Sequence, residues 1–374
     1  MSTNVKPKRP PLTHFLCLPL INDLSLPQLE SSLATFKASI PNAPAKSNLT
    51  EQQRRYQQPH PLIPDDAIRP VGTLHLTLGV MSLPTPERLN EALEFFQSLD
   101  LSHLLRTAGE IAARKKLLNA EVTMEGSTGD TIGGDKALAT PSIDELSQDD
   151  SAIPEPFNNI SLESLYALPR ARSATILHAA PVDATSRLYP FCAALREKFQ
   201  EAGFMQKEYQ RGNATKPRPL LLHATIANTI YIRGRKRRTG GHGKDRRASQ
   251  YTFDARAVVS YYRNFYLNDE RTVSRSDGVI TQDDSRIIDD ITDMHDVESH
   301  SEDEDPFAQS TSDDVCPSYP FVWARSFPIE AVCICEMGAK KLDPDHDENG
   351  MNARLGEKYA VVAERSLDFR DPNQ

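Results

Sequence analysis

Two separate stretches of the chain alternate apolar and polar residues with a period of two, the spacing that predicts a half-buried β-strand. In the first stretch, VGTLHLTLGV, one face collects the apolar side chains of Leu74, Leu76, Leu78 and Val80. His75 and Thr77 lie on the opposite face of that strand. The second stretch, LLLHATIANTIY, places His223 and Thr225 together in the same way. Each predicted strand therefore presents an H-x-T pair on one face.

Apolar residues recur at helical spacing in four other segments, which are predicted to be α-helices. They span residues 25–40, 84–99, 187–204 and 251–269. Thr85 and Pro86 suit the N-cap and the first position of the second helix. In the fourth helix, Ala257, Tyr261 and Phe265 are predicted to lie on one side.

The remaining apolar runs predict further strands, and the order of elements then roughly repeats. These runs are THFLCLPL, ISLESLYALP, SATILHAAP, EAVCICEMG and KYAVVAERSL. Each half of the chain contains a strand, a helix, an H-x-T strand and a further helix, with additional strands between them. The pattern indicates an internal duplication in which His75 and His223 occupy equivalent places.

Three polar segments interrupt this order and are predicted to be disordered insertions, at 119–158, 233–250 and 270–318. The first is rich in Gly, Ser, Thr, Asp and Pro. Residues 233–247 hold eight basic residues against one acidic residue, and residues 283–314 hold thirteen acidic residues against one Arg. We therefore expect one domain over residues 12–369, with flexible tails at 1–11 and 370–374.

Composition narrows the class of protein further. The chain has 374 residues, 39% of them hydrophobic, and a formal net charge of -9, which argues against a generally basic nucleic-acid coat. Its five cysteines are scattered, which predicts buried free thiols; the C-x-C pair Cys333 and Cys335 lacks partners at zinc spacing, so no metal is expected. No apolar run approaches the length of about 20 residues that spans a bilayer, and no secretory signal is evident, so we expect a soluble, intracellular protein.

The two H-x-T strands carry the groups that phosphodiester cleavage needs. A neutral imidazole can take a proton from an attacking hydroxyl or water, and a protonated one can give a proton to the leaving oxygen. Histidine suits both roles because its ordinary pKa is about 6.5. The threonine hydroxyls can donate hydrogen bonds to the non-bridging phosphate oxygens. This chemistry requires no metal and no cofactor.

GTLHLTLGVM and RPLLLHATIANTIY resemble the paired motif of the two-histidine (2H) phosphoesterase superfamily. The longer stretches SRLYPFCAALREKFQEAGF and VCICEMG…YAVVAERSL are similar to its branch containing the nuclear-signal domain of A-kinase anchoring proteins and the phosphoesterase-like cointegrator subunit. The resemblance covers residues 12–118, 159–270 and 320–369. It is specific at the two motifs and weak in the insertions.

The resemblance implies a bilobal, pseudo-twofold α+β fold in which two antiparallel sheets line a concave cleft, with helices outside. It implies activity on RNA ends, 2′,3′-cyclic phosphates or 2′,5′-linked oligonucleotides. Carried over position by position, His75 and His223 are the acid/base pair, and Thr77 and Thr225 are the phosphate contacts. Tyr231 and Arg233, which follow the second motif, are further candidate substrate contacts.

A second hypothesis stays open beside catalysis. The chain can instead be a nucleotide- or RNA-binding protein, or a scaffold that anchors a kinase or a transcription complex through its acidic and basic insertions. The basic run at 233–247 is open to three interpretations: a nuclear localisation signal, an RNA-tracking arm or a solvated loop. The expected compartment is nuclear, cytoplasmic or both, and no membrane association is expected.

Overall fold

The structure is a computed structural model. It describes residues 10–43, 60–125, 154–207, 209–210, 213–232, 250–265, 269–275, 318–346 and 349–369. The candidate contact Arg233, both predicted tails apart from Pro10 and Pro11, and most of the three predicted insertions lie outside these residues.

Eight strands form one antiparallel sheet. In chain order they are β1 (His14–Pro19), β2 (His75–Met81), β3 (Phe157–Leu168), β4 (Ile176–Asp183), β7 (Ala224–Asn228), β8 (Val322–Ile329), β9 (Ala331–Glu336) and β12 (Val361–Ser366). Their order across the sheet is β12-β9-β1-β2-β7-β4-β3-β8. Two short ribbons accompany the sheet: β5 (Tyr209–Gln210) with β6 (Asn213–Pro217), and β10 (Lys340–Lys341) with β11 (Glu357–Lys358).

Six α-helices occur in the described part of the chain. They are α1 (Ser25–Ser39), α2 (Pro86–Ser98), α3 (Leu101–Glu125), α4 (Leu188–Glu201), α5 (Arg256–Arg263) and α6 (Met351–Leu355). Helix α2 begins as predicted, with the Thr85 side chain accepting a hydrogen bond from the Arg88 N–H and Pro86 in the first turn. None of the described helices is long and apolar enough to cross a membrane.

The sheet is curled into a half-barrel and consists of two similar halves, β12-β9-β1-β2 and β8-β3-β4-β7. The predicted α+β class is confirmed. The two sheets predicted from the sequence are the halves of a single sheet, because β2 and β7 pair with each other through Leu76 and Ala224. This pairing satisfies backbone groups that two separate sheets would leave at exposed edges.

The alternation of side chains on the central strands separates a packed face from an open one. Leu18, Leu76 and Ala224 are fully buried in a continuous core between the sheet and the helices. Their neighbours along the strands point to the other, concave face, where Phe15 and Cys17 form a small separate apolar cluster with Cys333 and Cys335. The four described cysteines are free thiols and are buried, as the sequence predicted.

Helix α5 packs through Val258 and Tyr262, which are buried, and Phe265 just after the helix is buried as well, whereas Tyr261 is 40% exposed. The Tyr262 ring stacks on Trp323 with the ring centroids 5.6 Å apart and meets Phe321 edge-on at 4.8 Å. Because two tyrosines are adjacent, helical spacing alone fits either of them, and the aromatic cluster from β8 selects Tyr262.

The predicted boundaries of two insertions differ from the structure. Helix α3 continues past residue 119 to Glu125, in the first insertion. At the start of the third insertion, Thr272 and Arg275 bridge to Phe321 and Ser318 across the gap in the described chain. Arg275 also forms an ion pair with the buried Glu163. These residues pair with positions 318 and 321, which lie far along the chain. Composition alone does not reveal such pairing.

Gly72 provides a test of the packing that supports His75. It lies in a 3₁₀ turn at Val71–Thr73, and a Cβ at this position would meet the backbone oxygen of Glu357 at 2.5 Å. We expect Gly72→Ala to lower the free energy of unfolding by about 1–3 kcal/mol, because backbone on both sides has to shift. Equilibrium unfolding in urea measures this change.

The matched control is Gly109→Ala in α3, where the added Cβ would meet only Arg187 Cδ at 3.8 Å. This substitution should stabilise the protein by about 0.5–1 kcal/mol, because alanine is favoured over glycine inside a helix. Equal effects of the two substitutions would contradict the close approach of the two backbones at Gly72.

Candidate active site

The pairing of β2 with β7 brings the two H-x-T pairs together. Leu76 lies opposite Ala224 in an antiparallel register. Continuing that register by one residue in each direction puts His75 opposite Thr225, and Thr77 opposite His223. Directly opposed residues have Cβ atoms about 5 Å apart, and diagonal neighbours are about 7–8 Å apart. The two histidines are such diagonal neighbours on the open face of the sheet.

Both imidazoles are oriented by the same kind of hydrogen bond. His75 Nδ1 lies 2.7 Å from the backbone oxygen of Thr73, and His223 Nδ1 lies 3.0 Å from that of Leu221. A carbonyl oxygen can only accept a hydrogen bond, so Nδ1 is the donor in each ring. In the neutral form Nε2 then carries the lone pair. In each half of the fold the same nitrogen, Nε2, is thus available to accept or donate a proton.

A cavity of about 180 Å³ lies over this part of the sheet. His75, Thr77 and Thr225 line it, together with Arg69, Tyr231 and Tyr359. His223 is not among the lining residues. Its ring packs edge-on against His178, with the centroids 5.0 Å apart. Three of the four predicted H-x-T side chains therefore line the cavity, and the fourth, His223, is the diagonal neighbour of His75.

The environment lowers the pKa of both histidines. The pKa of His75 is lowered to about 4, chiefly by burial and also by the charges of His223 and Arg69, while the hydrogen bond to the Thr73 carbonyl raises it. Burial also lowers the pKa of His223, with the Leu221 carbonyl opposing and Arg218 adding to the shift. Both imidazoles are consequently neutral in the free protein at pH 7.

The surroundings of the two rings are different. The His75 ring lies against Phe15 and Tyr359, with centroid distances of 4.9 and 5.2 Å. His223 is backed instead by His178, which is 1% exposed and stacks on Tyr166 at 5.6 Å. Both ring nitrogens of His178 lack a hydrogen-bond partner within the described part of the chain.

Tyr231 is the one further predicted contact that the structure describes, and it lines the cavity. Asn228 supports it, because its side chain accepts a hydrogen bond from the Ile230 N–H and so caps the short turn at Thr229–Tyr231. Arg69 and Tyr359 were missed by sequence reasoning. Arg69 lies outside every predicted element, and Tyr359, in the predicted strand KYAVVAERSL, reaches the site from the far end of the chain.

No group of His, Cys, Asp and Glu side chains among the described residues is arranged to hold a metal ion. Cys17 and Cys335 lie on the same open face, with their sulfur atoms 3.8 Å apart. Their contacts are with each other and with apolar neighbours.

A curled antiparallel sheet that carries an H-x-T strand in each of two similar halves defines the class of two-histidine phosphoesterase folds. Residues 12–277 match the family described as the AKAP7 2′5′ RNA ligase-like domain. The chain belongs to this family, which is part of the 2H phosphoesterase superfamily. No curated protein matches the chain.

The tautomers of the two histidines can be measured directly. Because each Nδ1 donates to a carbonyl, we expect both neutral rings to carry the proton on Nδ1, the less common tautomer in solution. Long-range ¹H–¹⁵N NMR spectra at neutral pH should show this for both residues, with assignments from His75→Ala and His223→Ala. The His75 signals should titrate with a midpoint at about 4. A proton on Nε2 in either ring, or an unshifted His75 midpoint, would contradict the geometry.

Proposed function

We propose that the protein is a two-histidine phosphodiesterase that acts on RNA ends, 2′,3′-cyclic phosphates or 2′,5′-linked oligonucleotides without a metal. One observation supports the proposal: β2 and β7 pair at Leu76 and Ala224. Continued by one residue in each direction, this register would put His75 beside Thr225 and Thr77 beside His223. Family membership supports phosphoesterase-type chemistry in general, and the choice among these linkages is part of the proposal.

We infer the roles of the two rings from their unequal environments. Burial and the charges of His223 and Arg69 together lower the pKa of His75 to about 4. The first proton taken up by the pair is therefore assigned to His223. His75 Nε2 then accepts the proton of the attacking water or hydroxyl, and protonated His223 gives its proton to the leaving oxygen. Water adds across the broken P–O bond, and the two histidines exchange protonation states.

The threonines complete the chemistry at phosphorus. Thr77 and Thr225 line the cavity on either side of the strand junction. Their hydroxyls donate to the non-bridging oxygens, where negative charge builds in the transition state, and a preformed donor of this kind typically contributes about 10²–10³-fold in rate. A bound phosphate also raises the pKa of the nearby imidazoles, which favours uptake of the required proton.

A binding function without turnover is the second candidate. The observation that favours it is the absence of His223 from the cavity lining, since a ligand can fill the cavity without contacting that ring. In this case the cleft recognises a nucleotide or RNA, and the acidic and basic insertions recruit protein partners. Affinity for nucleotides would then survive substitution of His223.

We infer a nuclear location, a cytoplasmic one, or both. The family label refers to a nuclear localisation signal, and the sequence RGRKRR at 233–238 has the basic character of such a signal. The basic run lies outside the described residues.

The catalytic proposal predicts cleavage in EDTA of at least one substrate among 2′,3′-cyclic nucleotides, 2′,5′-oligoadenylate and short RNA. His75→Ala and His223→Ala should each lower kcat about 10²–10⁴-fold, because each removes one proton-transfer partner. The double variant should lose little more than either single one, since the pair acts as a unit. Product formation is followed by chromatography.

The matched control is His103→Ala, which removes an exposed histidine of α3 and should leave kcat unchanged. Unchanged nucleotide affinity combined with no cleavage of any of these substrates would favour the binding function instead.

The pKa shifts predict an acidic optimum for kcat/KM. As the pH falls through about 4, His75 becomes protonated and cannot act as the base. As the pH rises through the lowered pKa of His223, below 6.5, the acid loses its proton. The pH profile of kcat/KM reports these free-enzyme groups, so it should be bell-shaped with its maximum between about 4 and 6.5. A kcat/KM that keeps rising to neutral pH would refute the assignment of roles.

A further inference from the structure

Arg69 places a buried positive charge at the cavity. The residue is only 6% exposed, and its side chain forms part of the cavity lining. Its guanidinium carbon lies 4.0 Å from the centroid of the Tyr231 ring, and Nη2 donates to the Tyr359 hydroxyl at 3.4 Å. The two tyrosines thus hold the guanidinium group over the open face of the sheet.

The backbone of this segment is fixed against the strand that carries the second H-x-T pair. The Arg69 N–H donates to the Ile226 oxygen at 2.8 Å, and Ile68 forms a bridge with Ala227. The Arg69 backbone therefore lies beside Ile226, the residue that follows Thr225 in β7. Its charge also acts on His75, whose pKa it lowers, so the guanidinium is close to both halves of the site.

Within the described part of the chain, this charge has no acidic partner. The cavity lining contains no Asp or Glu. Arg275, a partly buried arginine at the other end of the sheet, forms an ion pair with the buried carboxylate of Glu163. A buried cation without a counter-charge is costly, and proteins normally pair such groups or use them to bind an anion.

The guanidinium also retains hydrogen-bonding capacity. Arginine has five N–H donors in a planar fork, and the contacts with described residues use one of them. The cation–π contact with Tyr231 occupies a face of the guanidinium rather than its N–H edge. That edge is the part that matches two oxygens of a phosphate group.

We propose that Arg69 is a third phosphate ligand, which donates two hydrogen bonds to the non-bridging oxygens of the nucleotide phosphate held by Thr77 and Thr225. This inference rests on the proposed function, because it concerns the same phosphate. The ligand class is a phosphate ester of a nucleotide, and its negative charge supplies the partner that Arg69 lacks. The hydroxyls alone would leave that negative charge uncompensated in the cavity.

Calorimetric titration of the full chain with adenosine 2′-monophosphate and with adenosine separates phosphate recognition from recognition of the nucleoside. Arg69→Met keeps the length of the side chain and removes its charge and donors. It should weaken binding of the monophosphate about ten- to hundredfold, the range for hydrogen bonds to charged groups. Binding of adenosine should change less than twofold. Arg69→Lys should recover part of the lost affinity, because it restores the charge without the fork.

Arg256→Gln is the matched control. Arg256 is an exposed arginine paired with Asp254 at 2.7 Å, and its substitution should leave both affinities unchanged. Thermal unfolding confirms that each variant is folded, and if Arg69→Met does not fold, the comparison of the two ligands is made with Arg69→Lys, which should lose several-fold for the monophosphate alone.

An equal loss of affinity for both ligands would overturn the proposal, since Arg69 would then only support the tyrosine wall. Failure of the wild type to bind the monophosphate at millimolar concentration would also overturn it. The outcomes differ from those that test catalysis. Arg69-dependent binding without cleavage would support this inference and contradict the proposed function. Cleavage that is unaffected by Arg69→Met would support the proposed function and contradict this inference.

Discussion

The pairing of β2 with β7 is the interaction on which the site depends. It joins the two halves of the sheet through Leu76 and Ala224, both fully buried. The side chains on either side of this pair point to the concave face, so one backbone register determines the spacing of all four H-x-T side chains. A slip of one residue would turn the histidines into the core. Burial of Leu76 and Ala224 therefore fixes the spacing of the four H-x-T side chains together with the fold.

The two halves of the site are alike in backbone, but the side chains around their histidines are different. Across the sheet, His75 lies opposite Pro19 of β1, and Thr225 lies opposite His178 of β4. Each H-x-T histidine donates through Nδ1 to the carbonyl two residues before it. The walls differ: aromatic rings and a cation surround His75, and a second histidine backs His223. The two imidazoles are therefore oriented alike, and their neighbours give them different environments.

The local part of the site could be predicted from the sequence, because alternation along a strand shows which side chains share a face. His75, Thr77, His223 and Thr225 were found in this way, and the duplication suggested that they meet. The joining of the two sheets was not predictable, since it depends on a single contact between residues 148 positions apart, 76 and 224. Arg69 and Tyr359 were missed for a related reason: both reach the cavity from segments outside the strands of the sheet, and nothing in the sequence pattern indicates that they lie close to the histidines.

The charge of the site is opposite in sign to that of the chain. The net charge is -9, yet the described lining of the cavity contains a cation and no carboxylate. Charges farther away than about 8 Å are screened at physiological ionic strength, whereas a charge inside a cleft is screened much less. A phosphate that entered the cavity would therefore interact more strongly with Arg69 and the threonine hydroxyls than with charges outside the cavity.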